Sequence, residues 1–396
     1  MIEKTSRKTI WLLGAGASKS ASAGTLPVLL EIPSVAAKLG VHVARSSGRP
    51  GPYEALKAYV SDKFDVDLAQ GPRLDLEAVL TMLDIDRALD AAPASGRARA
   101  QLIRYLQDTF RRLHQNPTTS APEYEKLVQR LGTSDTVITF NWDLLLDNAL
   151  GREAILGDLT IKPNRPQYSA FVLDFTALGD STIGKLSLPK PFRRWDPEHG
   201  YFLKLHGSID WVWCDRGGCK NAGRVFPMVK YGTRPACGYC FEKMQWLIVP
   251  PTLNKRLLET PIVRRLWNVA ARELAQAEVL VVWGYSLPPT DFFSAWLLRT
   301  ISPQRLAQVI LINPALIRGS RKSPKLSRMF LNRFDHLLRS GMANGSVHLH
   351  LTFADYVDSL DLRGRYPHLV REIDRYLAKL QQKPASSPIP ISPGQV

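Results

Sequence analysis

All four cysteines of this 396-residue chain lie between positions 214 and 240, as Cys214-x4-Cys219-x17-Cys237-x2-Cys240. Thiolates at this spacing are typical ligands of a structural zinc ion, because four sulfur atoms complete the tetrahedron around Zn²⁺ and leave no open position for a reaction. The spacing therefore predicts a zinc-binding insert over 212–242 that stabilises the fold. The alternative is a set of reduced cysteines without a metal.

Two polar residues follow an apolar run in the sequence Thr-Phe-Asn-Trp-Asp at positions 139–143. The neutral amide of Asn141 could orient a water molecule or a sugar hydroxyl without adding charge, and the carboxylate of Asp143 could hold further hydroxyl or amide groups. Both residues are therefore candidates for a ligand site. The alternative is that they cap the helix predicted to begin at Leu144.

His206 follows another apolar run, in the sequence Lys-Leu-His-Gly at positions 204–207. An imidazole titrates near neutrality and suits general-base catalysis, so His206 is a candidate base. Asp210 lies four residues later and is a candidate partner for it. The alternative is a structural histidine, as expected of most of the eight histidines in the chain.

A glycine-rich turn, Gly14-Ala15-Gly16-Ala17-Ser18, closes the first apolar run. Glycines at a strand-to-helix turn allow the backbone to approach a pyrophosphate, whose charge is favoured at a helix N-terminus. Ser18 could contact a phosphate or cap the helix. The third glycine of the usual dinucleotide fingerprint is missing, so a simple tight turn remains the alternative.

Polar residues follow two further apolar runs. Gly284 and Ser286 end the most apolar run of the chain, Asn313 ends the next one, and Asp291 precedes a predicted helix. These residues could contact a cofactor at the ends of two strands. The alternative is ordinary turn chemistry, with Asp291 acting as a helix cap.

The apolar runs define the elements that position these residues. Continuous apolar runs predict strands, and apolar residues three and four apart predict helices. The predicted strands cover 8–13, 135–140, 201–205, 245–249, 278–283, 308–312 and 346–353. The predicted helices begin near 18, 144, 261, 291 and 367. This alternation predicts an α/β fold with a Rossmann-like, mostly parallel sheet that binds its ligand at the carboxyl ends of the strands.

Three stretches interrupt the alternation. We expect a helical insertion over 40–134. We expect an irregular insert over 151–200, because this stretch is rich in Pro, Gly and polar residues. The tail over 383–396 is Pro- and Ser-rich and is expected to be disordered, which leaves one domain over 1–382. Within the helical insertion, apolar residues recur at helical spacing: Leu76, Val79, Leu80 and Leu83, then Leu102, Tyr105, Leu106, Phe110 and Leu113.

The order of these motifs resembles the sirtuin superfamily, and more closely its bacterial sirtuin-like NAD hydrolases. The resemblance covers about 8–32, 135–148 and 201–316. It implies NAD⁺ as substrate, Asn141 as the residue that positions ribose or water, and His206 as general base. The sirtuin loop with an Asp-Phe-Arg element is absent, since residues 23–28 read Ala-Gly-Thr-Leu-Pro-Val.

The same resemblance assigns the remaining candidates. Contact with NAD⁺ is implied for eight residues beside Asn141: Gly14, Ala15, Gly16, Ser18, Asp143, Gly284, Ser286 and Asn313, with Asp291 matching an acidic position common in the hydrolases. It implies cleavage of NAD⁺ to nicotinamide and ADP-ribose, anti-phage defence, and control by homo-oligomerisation or a partner protein. The alternatives are an NAD-dependent protein-lysine deacylase and a non-hydrolytic subunit that binds NAD or nucleic acid.

The overall composition is that of a globular protein with a strong basic surplus. Lys and Arg total 52 and Asp and Glu total 36, which gives a formal net charge of +16. Such a charge favours polyanionic ligands, so nucleic acid is a candidate partner beside a dinucleotide, and the alternative is a solvated basic surface without such a partner. The polar N-terminus and the lack of a long apolar run predict a cytoplasmic protein with no membrane contact.

Overall fold

The computed structural model of the chain describes most of the predicted sheet and its helices. The described residues are 7–41, 51–89, 94–115, 120–132, 134–150, 167–168, 200–222, 225–227, 235–249, 261–289, 291–316, 325–359 and 375–379.

In the described part of the chain, ten strands form two sheets. They are β1 (Thr9–Leu13), β2 (Thr136–Thr139), β3 (Gln167–Tyr168), β4 (Tyr201–Lys204), β5 (Gly207–Trp213), β6 (Val225–Pro227), β7 (Gln245–Ile248), β8 (Val279–Trp283), β9 (Gln308–Ile312) and β10 (Ser346–His350). Seven form a central sheet in the order β10-β9-β8-β1-β2-β4-β3, and each neighbouring pair in it is parallel. The other three form an antiparallel sheet in the order β6-β5-β7.

The order of the central sheet reverses at β1. The chain runs from β1 to β2 on one side, and β8 later returns to pair with β1 on the other side. In an open parallel sheet, such a reversal leaves a crevice beyond the carboxyl ends of the two strands, and ligands bind there. The fold is therefore α/β with a Rossmann-like parallel sheet, as the sequence predicts.

Helices cover both faces of the sheet. They are α1 (Ala15–Ala21), α2 (Ile32–Lys38), α3 (Glu54–Phe64), α4 (Leu76–Ala88), α5 (Ser95–Gln115), α6 (Pro122–Arg130), α7 (Leu145–Ala149), α8 (Pro261–Ala275), α9 (Phe292–Leu298), α10 (Lys325–Asn332), α11 (Asp335–Asn344) and α12 (Phe353–Val357). Residues 375–379 are also helical and fall inside the helix predicted to begin near 367. Among the described helices, none combines the length and apolar character needed to cross a bilayer.

Side chains along each central strand alternate between two apolar cores. In β1, Trp11 and Leu13 pack with α2–α6, whereas Ile10 and Leu12 pack with α8–α11. This two-residue period is the consequence of strand geometry, in which successive side chains point to opposite faces. Both faces of the sheet are thus buried, which explains why the inner strands β1, β8 and β9 are almost wholly apolar, whereas the edge strand β10 alternates polar and apolar residues.

The helical insertion is formed by α3–α6 and packs on one face of the sheet. Each apolar residue that predicted α4 and α5 is buried. The carboxylate of Asp75 accepts hydrogen bonds from the backbone of Glu77 and Ala78, so Asp75 caps α4 as its sequence position suggests. The irregular insert and the tail lie outside the described residues, apart from β3, and the division of the chain into 1–382 and 383–396 stays a prediction.

The small sheet is the feature that the sequence did not predict. β5 begins at Gly207, two residues after the predicted strand at 201–205 ends, and β7 pairs with β5 in the small sheet. Gly207 has φ +74°, and a Cβ there would lie 2.1 Å from the carbonyl oxygen of Leu247. Only glycine therefore fits this junction between the two sheets.

Candidate active site

The candidate residues follow five adjacent strands of the central sheet, β9, β8, β1, β2 and β4, and lie at its carboxyl edge. The hydrogen-bonded ladder continues beyond the strands: Gly14 donates to Trp283 O (3.1 Å), Phe140 to Leu13 O (3.1 Å) and Gly284 to Ile312 O (3.0 Å). Leu205 likewise donates to Thr139 O (3.0 Å), so the loops after β1, β2, β4, β8 and β9 are held side by side. The convergence predicted from the positions of the motifs is present in the fold.

The two glycine loops after β1 and β8 pack backbone against backbone. The amide of Gly16 donates to Gly284 O at 2.9 Å. A Cβ at Gly14 would lie 2.6 Å from Tyr285 Cα, and a Cβ at Gly16 would lie 2.7 Å from Gly284 O. The structure thus gives these glycines a role in close loop packing, and their contact with a phosphate stays a prediction. Ala15, between them, is exposed.

Ser18 is not the helix cap that was one of its two predicted roles. Helix α1 begins at Ala15 with Gly14 as its N-cap, so Ser18 lies within the helix and is buried. Its hydroxyl oxygen lies 2.8 Å from Tyr124 Oη and accepts a hydrogen bond from Asn141 Nδ2 at 2.9 Å. Ser18 therefore links α1 to the loop after β2.

Asn141 is held by its amide nitrogen. Nδ2 donates to Gly14 O and Ser18 Oγ, each at 2.9 Å, and lies 3.5 Å from Tyr124 Oη. Among the described residues, no donor reaches Oδ1 of Asn141. The side chain does not cap a helix, so the capping alternative is wrong for this residue.

The three side chains of Ser18, Tyr124 and Asn141 form what we call the amide node. Ser18 and Tyr124 each carry one hydroxyl hydrogen, and a single 2.8 Å contact joins their oxygens, with either atom able to donate. One hydroxyl hydrogen is consequently without an acceptor among the described residues, and Oδ1 of Asn141 is without a donor. The node can offer one donor and one acceptor to a bound molecule, which matches the needs of a hydroxyl group.

Asp143 binds the first turn of α7, which is close to the capping role considered for it, although the N-cap residue of that helix is Leu144. Its Oδ1 accepts a hydrogen bond from Leu145 N at 3.0 Å at the start of α7, and its carbonyl accepts one from Lys204 Nζ at 2.6 Å. Lys204 also pairs with Asp147 at 2.8 Å, and both side chains are 1% exposed. This buried pair fixes the segment after Asn141 to the end of β4.

His206 is 2% exposed and lies in an aromatic environment. The centroid of its ring is 4.9 Å from that of Phe140 and 6.3 Å from that of Trp267. Phe140 in turn stacks on Tyr285 at 4.4 Å. Rings from the loops after β2, β4 and β8 thus pack together. Asp210 is also buried, on β5, and its pairing with His206 stays a prediction.

The residues after β8 and β9 stabilise their own turns. Asp291 caps α9, since its carboxylate accepts hydrogen bonds from Ser294 N (3.1 Å) and Tyr285 Oη (2.9 Å). Burial, together with the charge of Asp291, raises the pKa of Tyr285 well above its ordinary value. Asn313 Oδ1 accepts from Ala315 N at 2.9 Å, and the exposed Ser286 contributes its carbonyl to Arg333. The turn alternatives therefore hold for Asp291 and Asn313, and contact of either with a cofactor stays a prediction.

The four cysteines form a compact cluster at the end of β5. Their sulfur atoms all lie within 4.8 Å of one another, and the pairs Cys214–Cys240 and Cys219–Cys237 are 3.7 Å apart. A tetrahedron with metal–sulfur distances of about 2.3 Å has edges of about 3.8 Å, so the cluster has the dimensions of a metal site. Asn221 directs its backbone and side-chain N–H groups at Cys219 and Cys237. The cluster could therefore hold a metal ion.

Two residues of the helical insertion reach the site and were not predicted. Tyr124 on α6 joins the amide node, and His114 on α5 accepts a hydrogen bond from Leu144 N through Nε2 at 3.2 Å. Burial lowers the pKa of His114, and the nearby carboxylate of Asp143 opposes this shift. Local sequence gives no sign of either contact. The one available signal is that each is a polar aromatic residue on an amphipathic helix.

Comparison with known proteins finds only remote similarity. No family model matches the chain, and neither does any curated protein. Among solved structures, the chain is similar to a Sir2 homologue bound to NAD (15% identity over 94% of this chain and 91% of that chain, TM-score 0.37). It is also similar to a mutant Sir2 homologue with 2′-O-acetyl ADP-ribose (17% identity over 97% of this chain and 100% of that chain, TM-score 0.33). A third similar structure is a Sir2–p53 peptide–NAD⁺ complex (12% identity over 84% of this chain and 93% of that chain, TM-score 0.27).

Proposed function

We propose that this chain is a sirtuin-like NAD⁺ hydrolase that cleaves the bond between nicotinamide and ribose. The observation that carries the proposal is the convergence of Gly14, Ser18, Asn141 and Gly284 where the order of the parallel sheet reverses. This is the position at which open α/β sheets bind nucleotides. NAD⁺ is chosen among nucleotides because the sequence motifs at these strand ends resemble those of sirtuin-like NAD hydrolases.

The chemistry of the amide node suits this substrate. Water adds to the anomeric carbon of the ribose, the carbon–nitrogen bond breaks, nicotinamide leaves with the bonding electrons, and one proton is released. The leaving group is cationic before cleavage and needs no general acid. Positive charge develops on the ribose, and a neutral carboxamide such as that of Asn141 can orient a hydroxyl or water without a charged group.

His206 is assigned as general base. Its aromatic surroundings exclude bulk water from the ring, which is the environment expected for a base that removes a proton from a ribose hydroxyl or from water. Contact with the dinucleotide is assigned to the exposed loop atoms of Ala15 and Ser286, with Gly14, Gly16 and Gly284 forming the base of the loop. The same assignment extends to Ser18, Asp143, Asp291 and Asn313.

Zinc is proposed for the cysteine cluster. Four thiolates are a donor set that favours Zn²⁺ over hard cations, and two N–H groups of Asn221 directed at sulfur fit ligating thiolates. The ion would close a tetrahedron and hold β5–β7 together. It would take no part in the reaction.

The test measures nicotinamide release from NAD⁺ by the purified chain, alongside Asn141→Ala and His206→Ala. We expect release without any acylated peptide, and a fall of about 100-fold or more in each variant. Two matched controls are Asn148→Ala, at an exposed position of the same segment, and His348→Ala on the edge strand β10. Both should keep wild-type turnover.

Other outcomes would support the alternatives. Release that requires an acyl-lysine peptide would identify a protein deacylase. Salt-sensitive binding of DNA or RNA without NAD⁺ turnover would favour a nucleic-acid-binding subunit, in line with the net charge of +16.

The biological role belongs to the same proposal. An enzyme that depletes NAD⁺ suits an anti-phage effector that acts in the cytoplasm and is kept silent by homo-oligomerisation or a partner protein. A phage-challenge assay with wild type and Asn141→Ala tests it, and equal protection by both proteins would contradict it.

A further inference from the structure

Tyr124 connects the helical insertion to the candidate site. It lies on α6, is 1% exposed, and its hydroxyl oxygen is 2.8 Å from Ser18 Oγ. Its ring packs edge-on against Trp283 at 5.4 Å. The neighbouring Glu123 accepts a hydrogen bond from Ser20 Oγ at 2.7 Å, so α6 is fixed to α1 by two polar contacts.

The hydrogen bonds of Asn141 determine what Tyr124 does there. Nδ2 carries two hydrogens, and its two 2.9 Å hydrogen bonds go to Gly14 O and Ser18 Oγ, whereas Tyr124 Oη lies farther away, at 3.5 Å. The carbonyl oxygen of Gly14 can only accept a hydrogen bond, so the carboxamide of Asn141 must turn its nitrogen, and not its oxygen, toward Gly14. Ser18 can both donate and accept, so its hydroxyl must be oriented by a third group before its lone pair faces Asn141 reliably. Tyr124 is the only other side chain that the structure brings to Ser18 Oγ among the described residues.

We infer that Tyr124 is a positioning residue, which orients Asn141 through the hydroxyl of Ser18. Burial raises the pKa of Tyr124 well above its ordinary value, so the phenol stays protonated at any working pH and the network keeps the same hydrogens. The helical insertion is in this way part of the active site, because it supplies one of the three side chains of the amide node.

Tyr124→Phe tests the inference, since it removes one oxygen and keeps the ring against Trp283. Tyr59→Phe is the matched control: Tyr59 is also a buried tyrosine of the helical insertion, and its hydroxyl makes one 2.8 Å hydrogen bond, to Asp86. The activity readout rests on the proposed function. Loss of one buried hydrogen bond in the network that holds Asn141 should lower kcat for NAD⁺ about tenfold with little change in KM. The control variant should have the kcat and KM of the wild type.

A second readout does not depend on the proposed function. In ¹⁵N-asparagine-labelled protein, the side-chain amide resonances of Asn141 are assigned by their loss in Asn141→Ala. We expect them to shift in Tyr124→Phe and to stay in place in Tyr59→Phe. If the wild type releases no nicotinamide, the proposed function fails while this measurement still decides the inference.

A third variant tests the route through Ser18. Ser18→Ala should shift the Asn141 amide as Tyr124→Phe does, and the double variant should be no worse than Ser18→Ala alone, since both changes break one network. Ser18→Ala removes a direct acceptor of Asn141, so by itself it tests the contact with Ser18, and only the comparison with the double variant tests the part that Tyr124 plays. Unchanged Asn141 resonances in the single variants, or fully additive losses in the double variant, would overturn the inference.

Discussion

Gly284 illustrates how one residue without a side chain permits the site to form. Its φ of +63° lies in the left-handed region, and a Cβ would lie 2.0 Å from Ala17 N. Gly14 and Gly16 leave room on the opposite loop for the same approach. The loops after β1 and β8 can therefore meet beside Gly14, whose carbonyl oxygen accepts a hydrogen bond from Asn141.

Gly284→Ala should destabilise the protein because it adds both backbone strain and a steric clash. The left-handed conformation alone costs an alanine about 1–2 kcal/mol, and the clash with Ala17 adds to it, so we expect the free energy of unfolding to fall by more than about 2 kcal/mol. Urea denaturation followed by circular dichroism measures the change.

Gly96→Ala is the control for that measurement. Gly96 lies in α5, where a Cβ meets nothing within 4 Å, so alanine should stabilise the helix by about 0.5–1 kcal/mol. Equal effects of the two substitutions would contradict the role of Gly284 in loop packing.

The polar residues at the strand ends show which roles of single residues the local sequence can predict. Asp291 caps a helix, Asp143 accepts a hydrogen bond from the first turn of another, and Asn313 caps a turn, as the ordinary properties of these residue types predict. Asn141 has the same local context and does not cap. Its partners are Gly14 and Ser18, more than 120 positions earlier, and no local pattern indicates contacts over that separation.

At the scale of elements, α5 supports the start of α7 through His114. The imidazole accepts the hydrogen bond from Leu144 N, which requires Nε2 without a proton. Three carboxylates, of Asp143, Asp147 and Asp210, favour the charged ring, while Lys204 and burial oppose it, and burial dominates, so the pKa of His114 is lowered.

Stability should consequently fall as the pH is lowered through the ordinary histidine range. Below about pH 6.5 the unfolded chain takes up a proton that the folded His114 does not, so each further pH unit costs up to about 1.4 kcal/mol for this residue. Burial also lowers the pKa of His336, so this residue adds to the loss of stability at low pH. Urea unfolding at pH 7.5, 6.5 and 5.5 measures the slope.

His114→Gln should reduce that slope without removing it. The glutamine oxygen can accept the Leu144 hydrogen bond but does not titrate, so the contribution of His114 is lost while that of His336 remains. The double variant with His336→Gln should be flatter still. A slope identical to that of the wild type in His114→Gln would show that His114 takes up its proton equally in both states.

The elements differ in how far the sequence could predict them. Helices α4 and α5 carry apolar residues at helical spacing over two turns or more, so their buried faces were predicted correctly. β5 was missed because Gly207 and the polar Ser208 and Asp210 interrupt its apolar pattern, and these residues are nevertheless buried. Burial of polar residues depends on tertiary partners, which local patterning cannot supply.

At the scale of the whole molecule, the two sheets are joined next to His206. The end of β4 and the start of β5 are separated only by Leu205 and His206. Trp267 donates to Leu205 O at 3.1 Å, and Val249, just beyond β7, donates to His206 O at 2.8 Å. The position of His206 therefore depends on both sheets, and β5–β7 in turn pack around the cysteine cluster.

Metal removal should thus affect the site although the cluster lies outside it. With a metal bound, none of the four cysteines should react with a thiol reagent in the native protein, and a strong chelator should release one zinc ion and expose four thiols per chain. The midpoint of thermal unfolding should drop with it. Without the metal, β7 is held less firmly, so the hydrogen bond from Val249 to His206 should weaken and NAD⁺ turnover should fall. The central sheet should stay folded, so the circular dichroism spectrum of the protein should change little. Four thiols that react at once in native protein, with no metal found by elemental analysis, would show that the cysteines are reduced and unliganded.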